Sequence, residues 1–339
     1  PNYVKIMIKT SIGRNAEMTQ TKVAEKIILP TPFAVGDVNV FLIEGQKLTL
    51  VDAGINTKEA ENTRESQLND RGYTISDIDQ VILTHHHSDH CGLVDLFEGK
   101  ELLGHEDNQR YLIRSEEFLD WQREYFTEMS KKMGVPKEYM KYANNVESMY
   151  TYSGSKPLTG YLKEGDRIPG HEDWIVMETF GHSQGHLSFY HEATGSLIGG
   201  DLLIGKISPN PILEPPKKKG DERVRPQLQL NESLKRISKE KLNIVYSGHG
   251  DNITEPYSLI EKRLIMQHER AMHVMKDLIG DGQSTILELA IQLFPKAIRR
   301  DPALALFETL GQLDYLESIH KVEKQDAEGV LYYRVMTEE

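Results

Sequence analysis

The chain has 339 residues, 52 acidic against 40 basic side chains, a formal net charge of −12 and a single cysteine. At roughly 150 residues per domain, this length accommodates about two domains and a full hydrophobic core. One cysteine excludes an intramolecular disulfide framework and a thiolate-only zinc cluster, and the acidic balance weighs against a polyanionic partner held by general electrostatics.

No apolar run reaches the roughly 18 residues of a membrane span, and no signal-like apolar core precedes the first patterned segment. A soluble, cytoplasmic protein without membrane association is expected. Residues 1–17 (PNYVKIMIKTSIGRNAE) are poorly patterned and Met18 reads as an alternative beginning, so this stretch is expected to be a flexible extension or an expression remnant. From Val38 the pattern is β: Val38 to Ile43, a turn at Glu44-Gly45-Gln46, then Leu48 to Val51, ended by Asp52-Ala53-Gly54. Residues 57–72 have the charged, Gly-terminated composition of a surface helix, and Val81-Ile82-Leu83 is a buried strand leading into Thr84-His85-His86-His87-Ser88-Asp89-His90.

Residues 106–150 differ in texture. Phe118, Trp121, Tyr125 and Met129 recur at helical spacing and define one face. Ten of the 26 aromatic residues fall between Tyr111 and Tyr161, which suggests an inserted helical hairpin broken near Gly134-Val135-Pro136. Its face is expected to pack onto the main domain, or to form a lid or wall of a substrate pocket. Strands resume at Trp174 to Phe180, Leu187 to Tyr190, Ser196 to Ile198 and Asn243 to Tyr246. Between them, prolines that include Pro209, Pro211, Pro215 and Pro226 mark 205–226 as irregular, and Lys217, Lys218, Lys219, Arg223 and Arg225 read as a solvated basic loop or a guide for an anionic substrate.

From Tyr257 the pattern is helical to about Leu278, again from Ser284 to Phe294 and from Ala303 to Ile319, followed by two strands around Asp326 to Gly329. Three helices and a hairpin are the element order of a winged-helix module. With 14 acidic against 10 basic residues, this tail lacks the basic balance of a nucleic-acid reader, so a packing or homodimerisation role is expected.

His85, His87, Asp89 and His90 follow a buried strand directly. Neutral imidazole and carboxylate suit Zn²⁺ and, with less selectivity, Fe or Mn. Alternation lets His85 and His87 address one position and Asp89 and His90 a neighbouring one, while His86 points away. Three further candidates sit at strand ends among small residues: His182 in Phe180-Gly181-His182-Ser183, Asp201 in Gly199-Gly200-Asp201, and His249 in Gly248-His249-Gly250. Cys91 reads as a small buried residue.

In this order, Asp52, the HxHxDH block, His182, Asp201 and His249 resemble the five motif positions of the metallo-β-lactamase superfamily, over about residues 25–256. The resemblance implies an α/β fold: an αββα sandwich (18–256) carrying the helical insertion (about 106–150), with a small C-terminal α+β winged-helix-like domain (257–339). It implies a binuclear site, with His85, His87 and His182 on one divalent cation, Asp89, His90 and His249 on the other, and Asp201 bridging. The two cations are expected to be zinc, with iron or manganese as alternatives. Asp52 and His186 would support these ligands from behind. Asp89 and Asp201 would serve catalysis, and Phe118, Trp121 and Tyr125 would line a substrate pocket.

The implied chemistry is attack of a hydroxide shared by the two cations on an ester, thioester or lactone carbonyl of a small, partly apolar substrate. Two alternatives stand beside it: a metal-dependent single-strand endoribonuclease or phosphodiesterase of the same superfamily, and a non-catalytic metal-binding interaction module. The set lacks the cysteine that antibiotic-hydrolysing members carry where Asp201 stands. The active-site tyrosine of quorum-sensing lactonases and the C-terminal basic residues of glutathione thioesterases also have no clear counterpart. The overall likeness is to a branch with a winged-helix tail after the last histidine.

Overall fold

The computed structural model describes residues 23–143 and 145–336; the segment 1–17 and Met18 lie outside the described residues. Six strands line up in chain order in one sheet: β1 (Glu25–Leu29), β2 (Val38–Ile43), β3 (Thr49–Val51), β4 (Gln80–Ile82), β5 (Glu101–Gly104) and β6 (Gly160–Tyr161). Five more form a second sheet: β7 (Arg167–Ile168), β8 (His171–Glu178), β9 (Leu187–His191), β10 (Ser196–Gly200) and β11 (Ile244–Ser247), in the order β11-β10-β9-β8-β7.

Strand β2 shows why the sequence alternates so weakly. Phe41 and Ile43 meet the second sheet in a core with Trp174, Val176, Phe189 and Ile198. Val38, Val40 and Leu42 face the opposite way, against Leu68 and Ala60 of helix α1 (Lys58–Asn69). Both faces are covered, so neither needs polar residues. Helix α1 starts where Thr57 Oγ1 accepts the Ala60 N–H at 3.2 Å.

The chain then forms the short helices α2 (Ser88–Cys91) and α3 (Asn108–Ile113), the long α4 (Glu116–Lys132) and the single turn α5 (Met140–Ala143). Helices α6 (Pro226–Ile237) and α7 (Pro256–His273) cover the outer face of the second sheet. There Leu230, Leu234, Ile237 and Ile260 meet Met177, Leu197 and Val245. The layers therefore run α, β, β, α.

Strands β3 and β4 are parallel, as are β10 and β11. Their carboxyl ends open at one edge, where Leu187 N–H donates to Thr84 O and Asn39 N–H to Gly248 O, both at 2.7 Å, stitching the sheets together.

Beyond α7 a π-helical segment (Val274–Ile279) leads to β12 (Gln283–Thr285), α8 (Ile286–Leu293), α9 (Ala297–Arg300), α10 (Pro302–Ser318) and the hairpin β13 (Val322–Ala327) and β14 (Val330–Val335). The small sheet is ordered β12-β14-β13. Helix α10 is buried continuously from Ala305 to Asp314, except for half-buried Phe307, so it needs cover on more than one side. Helix α4 supplies it: Tyr125, Phe126, Met129 and Met133 share one core with Leu289, Leu310, Leu313 and Leu316. Leu287 N–H also donates to Met133 O at 2.9 Å. The insertion's face thus packs mainly against the tail, where the sequence pointed to the main domain.

Nor is the insertion a hairpin of two regular helices. Gly134, at φ +83°, ends α4. The return arm is a series of short turns over Lys137–Tyr139, α5 and Val146–Tyr150, with only Val146 buried among its described side chains, too little apolar surface to hold a helix.

Residues 205–225 form an irregular strap; Lys217, Lys218 and Lys219 are exposed, as a solvated basic loop would be, and Lys217, Lys219, Arg223 and Arg225 also meet acidic partners. Lys217 meets Glu106 at 2.9 Å, Lys219 meets Glu124, and Arg225 meets Glu317 at 3.1 Å. Arg223 forms a two-point pair with buried Asp314 on α10, at 2.5 and 2.8 Å. The strap is fastened to the insertion at one end and the tail at the other.

Two outcomes follow from this packing. Asp314→Ala leaves Arg223 without its partner and is expected to destabilise the fold by about 3–5 kcal/mol, read from urea unfolding, with much of the loss recovered in the double variant Arg223→Met, Asp314→Leu. A chain ending at residue 256 would expose the α4 face, so size-exclusion chromatography should show aggregation; a monodisperse, fully folded truncation would contradict the shared core.

Candidate metal centre

The site forms where strand ends meet. Asp52 follows β3, Thr84 to His90 follow β4, His182 lies in the turn between β8 and β9, Asp201 follows β10 and His249 follows β11. Close approach there demands small neighbours. A Cβ on Gly248 would come within 2.3 Å of Asp201 Oδ1, and one on Gly181, at φ +129°, within 2.3 Å of the Leu230 backbone on α6.

Four histidines have their tautomers set from behind. Thr84 Oγ1 donates to Asp52 Oδ2 at 2.8 Å, so it is free to accept the His85 Nδ1–H at 2.9 Å. His90 Nδ1–H donates to Asp52 Oδ2 at 2.8 Å, His182 Nδ1–H to Asn210 O at 2.9 Å and His249 Nδ1–H to Asp37 O at 2.8 Å. Each leaves an Nε2 lone pair for the interior, the arrangement of metal-binding histidines. His87 presents Nδ1, 3.0 Å from His182 Nε2.

Around these nitrogens the carboxylates are central. Asp201 lies 3.5 Å from His182 Nε2 and 3.4 Å from both His90 Nε2 and His249 Nε2, and Asp89 Oδ2 lies 3.3 Å from His249 Nε2. Four groups among the described residues have ligand atoms close enough to share a cation: His85, His87 and His182; His85, His90 and Asp201; Asp89, His90 and His249; and, beside them, His86, His87 and Glu214. His85 Nε2, His90 Nε2, His249 Nε2 and Asp201 Oδ1 are buried without a hydrogen-bond partner. Buried polar atoms are rarely left so, and orphans converging on one spot fit a bound cation.

Electrostatics point the same way. Burial, with neighbouring imidazoles, holds His85 and His87 well below the usual histidine range, hence neutral. Burial acts against charge on His90 and His249 as well, but Asp201 and other carboxylates overcome it, raising His90 well above its ordinary value and His249 to about 10. The carboxylates thus draw positive charge into a buried space, which a divalent cation also supplies.

The remaining sequence candidates fall outside this group. His186 uses both ring nitrogens, pairing Nδ1 with Thr179 Oγ1 at 2.8 Å and accepting the Asp201 N–H on Nε2 at 3.1 Å. Cys91 is buried, donates from Sγ to His86 O at 3.0 Å, and burial pushes its thiol up to about 12. His86 turns away to stack on Tyr111, ring centroids 3.5 Å apart. Phe118 packs edge-on against that tyrosine, Trp121 lies under Lys219, and Tyr125 joins the core shared with the tail. Sequence reasoning missed Thr84, which bonds His85, and Asn108, Tyr111 and Glu214, which contact His86 or the turn after His182. Only Thr84, adjacent to the HxHxDH block, carried a local signal.

Comparison with known proteins identifies the family and the fold. The family model of the metallo-beta-lactamase superfamily matches residues 34–249. A probable metallo-hydrolase of Bacillus subtilis (strain 168), YqjP, is 40% identical over 311 residues, spanning 91% of this chain and 97% of its own length. A metallo-beta-lactamase family protein of Thermus thermophilus has a TM-score of 0.75 at 27% identity, covering 93% of this chain and 99% of that one. A beta-lactamase domain protein of Burkholderia ambifaria shares the fold, with a TM-score of 0.72 at 21% identity and 93% of both chains covered. With the matched region spanning every histidine and aspartate of the cluster, the chain belongs to the metallo-β-lactamase superfamily and is a metal-dependent hydrolase.

Proposed function

We propose that the protein binds two divalent cations, zinc in the first instance, and hydrolyses an ester, thioester or lactone carbonyl of a small, partly apolar substrate. The observation that carries this reading is the convergence of seven His and Asp side chains, with four buried, unpartnered ligand atoms among them. In this reading His85, His87 and His182 hold one cation, and Asp89, His90 and His249 the other. Asp201 lies between the groups, at 3.4–3.5 Å from one histidine of the first and two of the second.

All seven ligands offer nitrogen or oxygen, which suits zinc and accommodates iron or manganese. When bound, such cations supply Lewis acidity and a water that ionises near neutral pH. The chain's own contribution is placement. Asp52, Asn210 and Asp37 fix the histidine tautomers, His186 fixes the Asp201 backbone, and Asp89 is positioned to accept a proton as the reaction proceeds. Ser183 and Ser247 have no partnering base and are not nucleophiles in this scheme.

The acidic tail packs its core against α4 and supports a structural role in preference to nucleic-acid reading. Among the described residues no helix is long and apolar enough to cross a membrane, and a small diffusible substrate fits a site set at a sheet edge.

Elemental analysis of purified protein should find two divalent cations per chain. Asp201→Ala should lose bound metal and hydrolysis together, whereas a metal-free, fully active variant would sink the proposal. Asp52→Asn, which keeps the size of the side chain but alters what it accepts, should weaken metal affinity about 10–100-fold, measured by chelator competition. A panel of thioesters, lactones, carboxylic esters and phosphodiesters with single-stranded RNA should show turnover of the carbonyl substrates. RNA cleavage that depends on metal and on His87, without carbonyl hydrolysis, would replace this reading with the nuclease one.

A further inference from the structure

The carboxyl group of Glu214, on the strap, is 2% exposed and lies against both loops that bear the first group of ligands. Its Oε1 accepts the backbone N–H of Gln184, two residues beyond His182, at 3.1 Å, and lies 3.9 Å from Nε2 of His86, which stands between His85 and His87. Its Oε2 accepts the Tyr111 hydroxyl at 2.8 Å, and the Tyr111 ring is stacked on His86 at an interplanar angle of 10°. Asn108 repeats the link alongside: Oδ1 is 3.3 Å from His86 Nδ1, and Nδ2 donates to Gly185 O at 3.2 Å. The strap is held in place at this point by Arg110, which donates to Pro215 O and Pro216 O at 2.9 Å.

We infer that Glu214 is a positioning residue for metal binding. By joining the His182 loop to the His86 segment, it sets the separation between His87 and His182 and so the capture of one of the two cations. An apolar side chain would fill the same space at less desolvation cost, since burying a carboxyl group is expensive unless its hydrogen bonds are made. Here they are made to a ligand loop and to the tyrosine that clamps the other loop. Without the carboxyl group, Gln184 N–H and Tyr111 Oη lose a buried acceptor. The turn from Gly181 to His186 is then free to shift relative to His87. His90 and His249 are positioned by other contacts, through Asp52 and Asp37, and Asp89 lies against His249 at 3.3 Å.

This inference rests on the two-cation reading, and the experiment separates the two. Metal stoichiometry is measured by elemental analysis after competition with a graded chelator, first on the wild-type protein and then on Glu214→Leu, Glu214→Gln and Tyr111→Phe. Far-UV circular dichroism and thermal melting of the metal-free proteins verify folding, and Co²⁺ substitution reports ligand geometry from its visible spectrum. The expected result is that Glu214→Leu weakens one cation about 10–100-fold and leaves the other at wild-type affinity. Glu214→Gln, which retains an acceptor for Gln184 N–H, should fall between the two and restore most of the Co²⁺ spectrum.

Two cations held at wild-type affinity by a folded Glu214→Leu protein would overturn the positioning role alone. Equal loss of both cations would also overturn it, because the effect would then be general. A wild-type protein holding fewer than two cations overturns the two-cation reading itself, and this inference with it. A third cation, lost selectively in Glu214→Leu, would make Glu214 a ligand together with His86 and His87 instead. If Glu214→Leu does not fold, Tyr111→Phe and Glu214→Gln decide by the same measurement: one cation weakened supports the role, neither weakened rejects it.

Discussion

The hydrogen bonds accepted by the Asp52 carboxylate are the constraint on which the site is built. The residue is 1% exposed and its backbone is left-handed, at φ +63°. Such a conformation costs on the order of 1–3 kcal/mol and persists only where its surroundings hold it. Here they do: Asp52 accepts the Thr84 N–H at 2.7 Å, the Thr84 hydroxyl at 2.8 Å and His90 Nδ1–H at 2.8 Å. One carboxylate therefore joins the ends of two parallel strands and sets the tautomer of His90 directly and of His85 through Thr84.

The other half of the site is held from further away. His182 is oriented by the carbonyl of Asn210 on the strap, and its turn packs against α6, where Ser233 Oγ donates to Phe180 O at 2.8 Å. A ladder of buried amides then ties α6 to α7 and α10. Gln227 donates to Asn231 at 2.9 Å, Asn231 to Gln267 at 2.9 Å, and Gln267 to Gln312 at 3.0 Å. Each rung satisfies polar groups that would be costly to bury alone. Together with the Arg223–Asp314 pair, this ladder makes the tail a mechanical extension of the scaffold.

How much was legible in the sequence depended on how local the signal was. Strands β2, β3, β4, β9, β10 and β11 carried short segments rich in apolar residues and were read close to their bounds. Strands β6 and β7 have two residues each and so less than a full period of alternation to detect. Helix α6 had Pro226 at its first position and apolar residues at helical spacing, but it follows an irregular segment and was passed over. The lysines of the basic run are exposed as read, but the acidic partners of the run were not legible because they lie far away in the chain: Glu106, Glu124, Asp314 and Glu317. The aromatic face of α4 was visible as a face, but its partner, a helix about 190 residues later, was not.

By itself the sequence determined the donor chemistry of the centre, its order along the chain and the family of the fold. These depend on residue type and short-range spacing, which folding does not alter. Only the tertiary structure decided which ring nitrogen each histidine turns inward, that His86 stacks on Tyr111, and that Glu214 and Asn210 brace the His182 loop. Those outcomes rest on hydrogen bonds between groups 38, 28 and 212 residues apart, as for His90 with Asp52, His182 with Asn210 and His249 with Asp37. Such partners are chosen by how the layers pack, because a buried donor takes whichever acceptor the packing brings within reach.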